Sequence, residues 1–348
     1  MGVAEVTGQT GTGTVRPDPA VGEAVSGVVR QRGSAERTAD GAEPAGAGAP
    51  GPEAGADTFR LGAVVLTMGN RPAELNALLA SVAAQRGPAV EVVVVGNGAP
   101  LPKLPPGVRG IELEENLGIP GGRNVGIEAF GPHGSDVDAV LFLDDDGLLP
   151  LTDSAEKLRE AFTADPRLGI VSFRIADPET GVTQRRHVPR LRASDPLRSS
   201  KVTTFLGGAS AVRSSVFAEV GELPGDFFYA HEETDLAWRA LNAGWGIEYR
   251  ADVVLHHPAT SPSRHAVYHR MVARNRVWLA RRNLPAALVP VYLGMWILLT
   301  LARRPSRPAL RAWIGGFREG WRRPCGPRRP MSWRTVWRLT RLGRPPVI

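Results

Sequence analysis

The chain has 348 residues, 43% of them hydrophobic, with a net charge of +7 and one cysteine. That length holds one large domain or two ordinary ones, and the lone Cys325 excludes an intrachain disulfide framework and any paired-cysteine metal site. The charge is uneven: residues 303–348 carry 13 arginines and one acid, Glu319, a net +12 that leaves −5 for residues 1–302.

Residues 1–57 are rich in Gly, Ala, Pro and Thr and show no sustained apolar period. So little apolar surface cannot offset the entropy of ordering, so this stretch reads as a disordered leader. It has no unbroken apolar core after a basic start and does not read as a signal peptide. Order begins at Leu61–Thr67, a short apolar run that predicts a buried strand. Asn70 is the candidate N-cap of the next helix and Pro72 lies in its first turn, with Leu75, Leu78, Leu79 and Val82 at helical spacing. Val90–Val95 predicts a second strand, closed by Gly96, Asn97 and Gly98, and Ile111–Leu113 a third. Asn116–Gly126 then leads into a helix through Phe130. Its glycines either simply turn the chain or offer backbone N–H groups to an anion beside Arg123. It lacks both GxGxxG and GxxxxGK[ST] spacing, which disfavours a classical dinucleotide or P-loop site.

Ala139–Leu143 is the next strand, and it runs directly into Asp144, Asp145 and Asp146 before Gly147 turns the chain away. Three adjacent carboxylates repel one another and titrate as a coupled set. They are either a solvated acidic turn or a site held ionised by a cation, and oxygen ligands of this kind suit Mg2+ or Mn2+. The β-α-β-β-α-β order predicts a mostly parallel α/β sheet whose ligands sit beyond the carboxyl ends of the strands, where Thr67, Asn97 and Asp144 all fall.

Asp153–Thr163 reads as an amphipathic helix and Gly169–Phe173 as a strand. Residues 177–201 are polar, with Arg185, Arg186, His187, Arg190 and Arg192 clustered, either as a substrate loop or as a solvated one. An aromatic run, Phe227–Tyr229, ends in His231, Glu232 and Glu233. Thr234 or Asp235 is predicted to open a helix there, closed by Gly244. Capping accounts for Asp235, whereas one of two adjacent glutamates beside an apolar wall has the environment of a general base. Val253–Leu255 ends in His256 and His257, a structural pair or a nitrogen ligand to the same metal.

In this order the motifs resemble family 2 glycosyltransferases of the GT-A fold, and most closely the bacterial rhamnosyl- and galactofuranosyl-transferase-like members. The resemblance covers residues 61–258 and rests on Thr67–Arg71, Val92–Gly98, Asn116–Gly126, Leu143–Asp146, Gly207–Ala209, His231–Arg239 and His256–His257. It implies an α/β GT-A sheet flanked by helices and inverting transfer from a nucleoside-diphosphate sugar to a hydroxyl of a cell-envelope glycan or lipid-linked acceptor. It implies that Thr67, Arg71, Asn97, Arg123, Asn124, Asp144 and Asp145 line the nucleotide-sugar pocket. Asp144, Asp146 and His256 would serve the metal, and Glu233, with Glu232, would supply the catalytic base. Two departures stand out: Gly96 and Ala99 flank Asn97 where the family carries an Asp before an Asn-Gly-Ser turn, and Glu232–Glu233 replaces a Glu-Asp pair. A sugar-phosphate nucleotidylyltransferase and a non-catalytic nucleotide-sugar binder are the alternatives.

Beyond residue 260 the chain changes character. Residues 264–282 alternate basic and apolar faces at helical spacing, as a membrane-surface helix does, and Leu284–Ala302 gives 19 uncharged residues. Pro285 and Pro290 shorten the clean helix, so a monotopic or peripheral attachment to the cytoplasmic side of the membrane stands beside a single span. The tail 303–348 interleaves Arg with Trp313, Trp321, Trp333 and Trp337, a pattern suited to an anionic membrane surface; nucleic acid is the lesser alternative, since no RNA- or DNA-binding motif accompanies it.

Overall fold

A computed structural model describes residues 59–190, 195–258 and 266–347. The proposed leader, Arg192 and the start of the proposed surface helix lie outside them. Three parallel strands, β1 (Leu61–Thr67), β2 (Val90–Asn97) and β3 (Arg109–Leu113), alternate with helices α1 (Pro72–Ala83) and α2 (Gly118–Glu128) and lead to β4 (Ala139–Asp144). Next come α3 (Ser154–Ala164), β5 (Leu168–Ala176), the two-residue β6 (Ser200–Lys201), β7 (Ala209–Arg213), α4 (Ser214–Val220), α5 (Glu232–Asn242) and β8 (Gly246–His256). One eight-stranded sheet results, in the order β3-β2-β1-β4-β7-β5-β8-β6. It is mostly parallel; β7 runs against both β4 and β5, and β6 runs against β8.

Strand alternation decides which layer each residue joins. Leu61, Ala63 and Val65 of β1 and Leu141 and Leu143 of β4 pack with α1 and α3 on one face of the sheet. Val64, Val140 and Phe142 join α5 and α2 residues such as Ile127 on the other. The glycines of α2 serve this packing, since a Cβ at Gly122 would overlap Leu66 and one at Gly126 would overlap Val64. The helix can therefore lie unusually close to β1.

Helices α6 (Ala266–Asn283), α7 (Leu288–Ala302), α8 (Arg307–Arg322) and α9 (Trp333–Arg341) complete the chain. They share the second core layer: Val277, Trp278, Leu284, Tyr292, Leu293, Met331 and Leu339 are buried with the sheet residues. The segments that the sequence divides into a membrane arm and a basic tail are thus packed on the sheet domain. In particular α6, expected on a membrane surface, turns its apolar side to α5 and α8. Arg338 of α9 donates to the carbonyls of Leu241 and Trp245, which pins the last helix to the end of α5. The apolar run forms a 15-residue helix, about 22 Å long at 1.5 Å per residue, against a hydrocarbon core of about 30 Å. No helix among the described residues is long and apolar enough to cross a membrane.

Boundaries differ from expectation at two places that matter. The N-cap of α1 is Arg71, not Asn70, and it makes no side-chain cap bond. Helix α5 starts at Glu232, two residues before the expected Thr234, because His231 takes a left-handed conformation and caps it.

Candidate functional site

The register of β4 brings the three aspartates to the carboxyl edge of the sheet. Leu66 of β1 pairs with Asp144, and the Asp144 amide donates to Gly208 O just ahead of β7. Asp145 turns inward and accepts from Thr67 Oγ1 at 2.6 Å, so Thr67 ties the ends of β1 and β4 together. Asp146 accepts from Arg71 Nη1 at 2.5 Å and lies 3.1 Å from His257 Nε2. Asp144 is the open member, its side chain 45% exposed, with Arg123 Nη2 donating to it at 3.1 Å. Arg123 is itself buried and lies over the Phe142 ring.

These surroundings separate Asp145 from Asp146 electrostatically. Burial pushes the Asp145 carboxyl up, against the Thr67 hydrogen bond and the Arg71 charge. Burial also works to raise Asp146, but the hydrogen bond and charge of His257, with Arg71, outweigh it and hold Asp146 below its ordinary value. His257 is raised in return, chiefly by that hydrogen bond.

Glu232 and Glu233 arrive at the same edge from α5. A Cβ on Gly208 would overlap the Asp144 carboxylate, and one on Gly207 would overlap Glu233 Oε1 and Arg123 Nη1. Asp144, Arg123 and Glu233 thus converge on two glycines that leave room for all three. Glu232 is 1% exposed and its Oε2 has no partner; burial, and then the charge of Glu233, push it up to about 8. Glu233 stays part-exposed and is also raised, by burial first, with Arg123 opposing. A raised carboxylate is a stronger base, and a neutral Glu232 beside it can hold the neighbouring proton.

The loop carrying the glutamates is strained: Phe228, Ala230 and His231 all have positive φ, a conformation costing about 1–3 kcal/mol at a non-glycine residue. Asn275 of α6, fully buried, holds it. Its Nδ2 lies 2.8, 2.7 and 3.0 Å from the carbonyls of Phe227, Tyr229 and Ala230. Asp235, also fully buried, accepts from Arg239, Arg282 and Asn283, so it is a junction between α5 and α6 rather than a cap. Neither Asn275 nor the α6 partners of Asp235 carry a local sequence signal, since their partners lie some 45 positions away.

Several expected site residues are engaged elsewhere. Asn97 donates to Asn116 Oδ1 and Gly118 O and accepts from the Leu117 amide, so it anchors the start of α2. Asn124 spends both ends of its amide on the backbone of Leu223. Two amides of the glycine-rich turn are engaged as well: Gly118 N donates to Asn116 Oδ1 and Ile119 N to Phe228 O. The histidine at Asp146 is His257, not His256. The backbone of His256 pairs with Leu148, ending β8, and the next residue projects towards Asp146. The loop after β5 comes to the same place, its His187 ring 6.5 Å from that of His257, whereas Arg190 is occupied by Ser200 and Asp195.

Asp146 and His257 offer an oxygen and a nitrogen ligand side by side. A hard divalent cation usually completes its shell with substrate phosphates and water rather than a protein cage, so this donor set fits Mg2+ or Mn2+. Among the described residues the group of three whose ligand atoms all come within 4.8 Å is a different one, Glu128, His133 and Glu222, at the far end of α2 and largely exposed. A cavity of about 1110 Å3 lies at the amino ends of β5 and β8, lined by Arg167, Lys201, Trp337 and Arg341 and remote from the carboxylates.

Residues 63–221 match the model of a family described as Glycosyl transferase family 2. Among solved structures, GalNAc-T7 with UDP, GalNAc and Mn2+ superposes with a TM-score of 0.55 at 12% identity, covering 75% of this chain and 54% of that one. Residues 1–349 of S. aureus TarS superpose with a TM-score of 0.50 at 17% identity, covering 75% of this chain and 80% of that one. At such identities the likeness is one of fold, and the chain spans about half the length of GalNAc-T7 (54%). No curated protein sequence matches it. The architecture is the GT-A fold expected from the sequence. The family match, over residues 63–221, falls on strands β1 to β7 and helices α1 to α4 of that sheet domain.

Proposed function

We propose that the chain is an inverting, metal-dependent transferase that moves a hexosyl or deoxyhexosyl group from a nucleoside-diphosphate sugar to a hydroxyl of a cell-envelope glycan or lipid-linked acceptor. The observation that carries this reading is the convergence of Asp144, Arg123 and Glu233 on Gly207 and Gly208. Glu233 takes the proton of the acceptor hydroxyl as its oxygen attacks the anomeric carbon and the bond to the diphosphate breaks. Arg123 and Arg71 donate to the departing diphosphate oxygens from fixed positions, so little reorganisation accompanies the developing charge. Asp146 and His257, beside Asp144, would hold Mg2+ or Mn2+, which when bound supplies further positive charge to the leaving group. Thr67 and Asp145 keep the ends of β1 and β4 in register beneath them. A uridine or deoxythymidine diphosphate sugar of the rhamnosyl or galactofuranosyl class is the proposed donor, in keeping with the sequence resemblance and with the UDP and Mn2+ bound to GalNAc-T7.

The test is a transfer assay across nucleotide sugars with and without Mn2+, with product stereochemistry read by NMR. Glu233→Gln and Asp146→Asn should each abolish transfer while leaving the fold intact. Unchanged transfer in both variants, or release of pyrophosphate instead of a nucleoside diphosphate, would overturn the assignment.

The same reading places the enzyme on the cytoplasmic face of an anionic membrane. Val291, Leu298 and Leu301 of α7 and Ile314 and Trp321 of α8 are exposed, and arginines 303, 304, 307, 311, 318 and 322 lie among them. Apolar side chains rimmed by arginine suit a headgroup layer. Pelleting with phosphatidylserine vesicles, lost in Leu298→Ser with Trp321→Ser, supports this; retention on nucleic acid at physiological salt instead would overturn it.

A further inference from the structure

We propose that Arg276 and Arg344, with His231, Tyr292 and Trp296, form a binding site for a phosphate group at the junction of α6, α7 and the C-terminal segment. Two arginines meet here without an acid. Among the described residues neither forms an ion pair, and neither guanidinium donates a hydrogen bond. Tyr292, Arg303, Tyr268 and Arg344 are neighbours of Arg276, and Tyr292 is a neighbour of Arg344 as well. His231 feels both guanidiniums, and so does Tyr292. Taking a cation out of water costs several kcal/mol unless a counter-charge and hydrogen bonds replace the water. Stacking of Arg276 on Trp296, 3.3 Å from its ring centre, offsets part of that.

What remains unmet is specific. Arg276 Nη1, His231 Nε2 and Trp296 Nε1 are all buried polar atoms without a hydrogen-bond partner. Every other buried guanidinium near the glutamate loop is paired: Arg239 and Arg282 with Asp235, Arg123 with Asp144, and Arg274 with Glu319. Guanidinium forks, an indole N–H and an imidazole together suit an anion with several oxygens. Arg276, Arg344 and His231 are each only partly covered, so the cluster lies near the surface even though its unpartnered atoms are sealed from water. The site adjoins the residue before Glu232 and the helix whose outer side exposes Val291, Leu298 and Leu301. A phosphate borne by a lipid could therefore sit here with its chain along α7; free phosphate offers the same oxygens. The lipid form rests on the transferase reading, as the phosphate end of its acceptor, whereas the anion site itself does not.

The test uses the full chain and reads binding without sugar transfer. Thermal stability is compared in inorganic phosphate and in chloride at equal ionic strength. Separately, sedimentation is compared with phosphatidylcholine vesicles with and without phosphatidic acid. Wild type should be stabilised by phosphate or recruited by phosphatidic acid. Arg344→Gln and Arg276→Gln should weaken that response about tenfold or more, the scale of losing a charged hydrogen bond, while Arg86→Gln, exposed just past α1 on the other face of the sheet, should change it little. A response to vesicles alone identifies a lipid phosphate; a response to the free ion alone identifies soluble phosphate. Should Arg276→Gln fail to fold, Arg344→Gln carries the test. Equal responses in wild type and Arg344→Gln, or none in wild type, overturn the site. Either result stands apart from whether Glu233→Gln abolishes transfer.

Discussion

At the end of β4, Asp144, Asp145 and Asp146 each lie beside a cation, Arg123 for the first and Arg71 for the other two, with His257 also on Asp146. At the start of α5 the cations are distributed otherwise. Asp235 takes both Arg239 and Arg282, and Glu232 and Glu233 share the pull of the one Arg123, with no ion pair of their own among the described residues. The first cluster gives each of its carboxylates a cation at the cleft. The second separates two tasks: one acid is fully compensated and holds helices together, and its neighbours are left uncompensated and proton-binding. A carboxylate that must accept a proton cannot also be the partner of two guanidiniums.

The separation breaks first at Asp235. Asp235→Ala removes the shared partner of two buried arginines and should destabilise the fold by about 3–5 kcal/mol, read as a fall in denaturation midpoint at unchanged slope. A loss no larger than that of a surface substitution would mean the α5–α6 junction is held by its apolar contacts alone. Next comes Asn275→Leu, which strands three carbonyls of the glutamate loop. A stability loss of about 2 kcal/mol is expected, with a fall in kcat of at least about tenfold and little change in donor KM, because Glu233 drifts while the nucleotide side is untouched. A change confined to KM would show that α6 does not position the base.

These two residues also mark where the sequence stops being readable. The strand ends, the aspartate triplet and the glutamate pair are local patterns, and β1 to β4 follow the predicted order because each strand carries its own apolar run. The hydrogen bonds of Asn97 and Asn124 are not legible, because the backbone groups they bind, Gly118 and Leu223, become neighbours only after folding. The antiparallel β7 was missed for a similar reason: Ala209–Arg213 is short and rich in small residues, and it is a strand because β4 and β5 flank it. Helix α6 misled in the opposite direction. Its arginines suggested a membrane surface, yet Arg274, Arg281 and Arg282 are spent on carbonyls of the preceding loop and of α8, and on Asp235. Alternation alone cannot tell an arginine that reaches lipid from one that caps a neighbouring chain.

Glu232 tests the uncompensated half of the comparison. Its folded value of about 8 lies above the ordinary 4.5, so folding favours the protonated form. Wild-type stability should therefore fall as pH rises from about 4.5 towards 8. Glu232→Gln lacks that slope and should be at least as stable as wild type at pH 8.5. A variant less stable at every pH would mean that Glu232 is an ionised, paired acid like Asp235, and the contrast between the two clusters would disappear.

The smallest effect belongs to a third acidic group, at the other end of α2. Glu222 is raised to about 7, by burial and then by its hydrogen bond to Glu128, with the hydrogen bond from His133 acting the other way. Folding again favours the protonated carboxyl, so its contribution is present at low pH and lost as pH rises from about 4.5 through 7. His133 and Glu128 are half exposed, and solvent screening should keep the effect of Glu222→Gln below about 1 kcal/mol, visible as a shallower decline in melting temperature over that window. Because Glu128, His133 and Glu222 have ligand spacing, the variant also sharpens the reading of the cleft. Stabilisation by Mn2+ that survives Glu222→Gln and vanishes in Asp146→Asn belongs to the strand-end carboxylates, whereas the reverse pattern would move the ion to the far end of α2 and leave the β4 aspartates with Arg71, Arg123 and His257 as their only counter-charges.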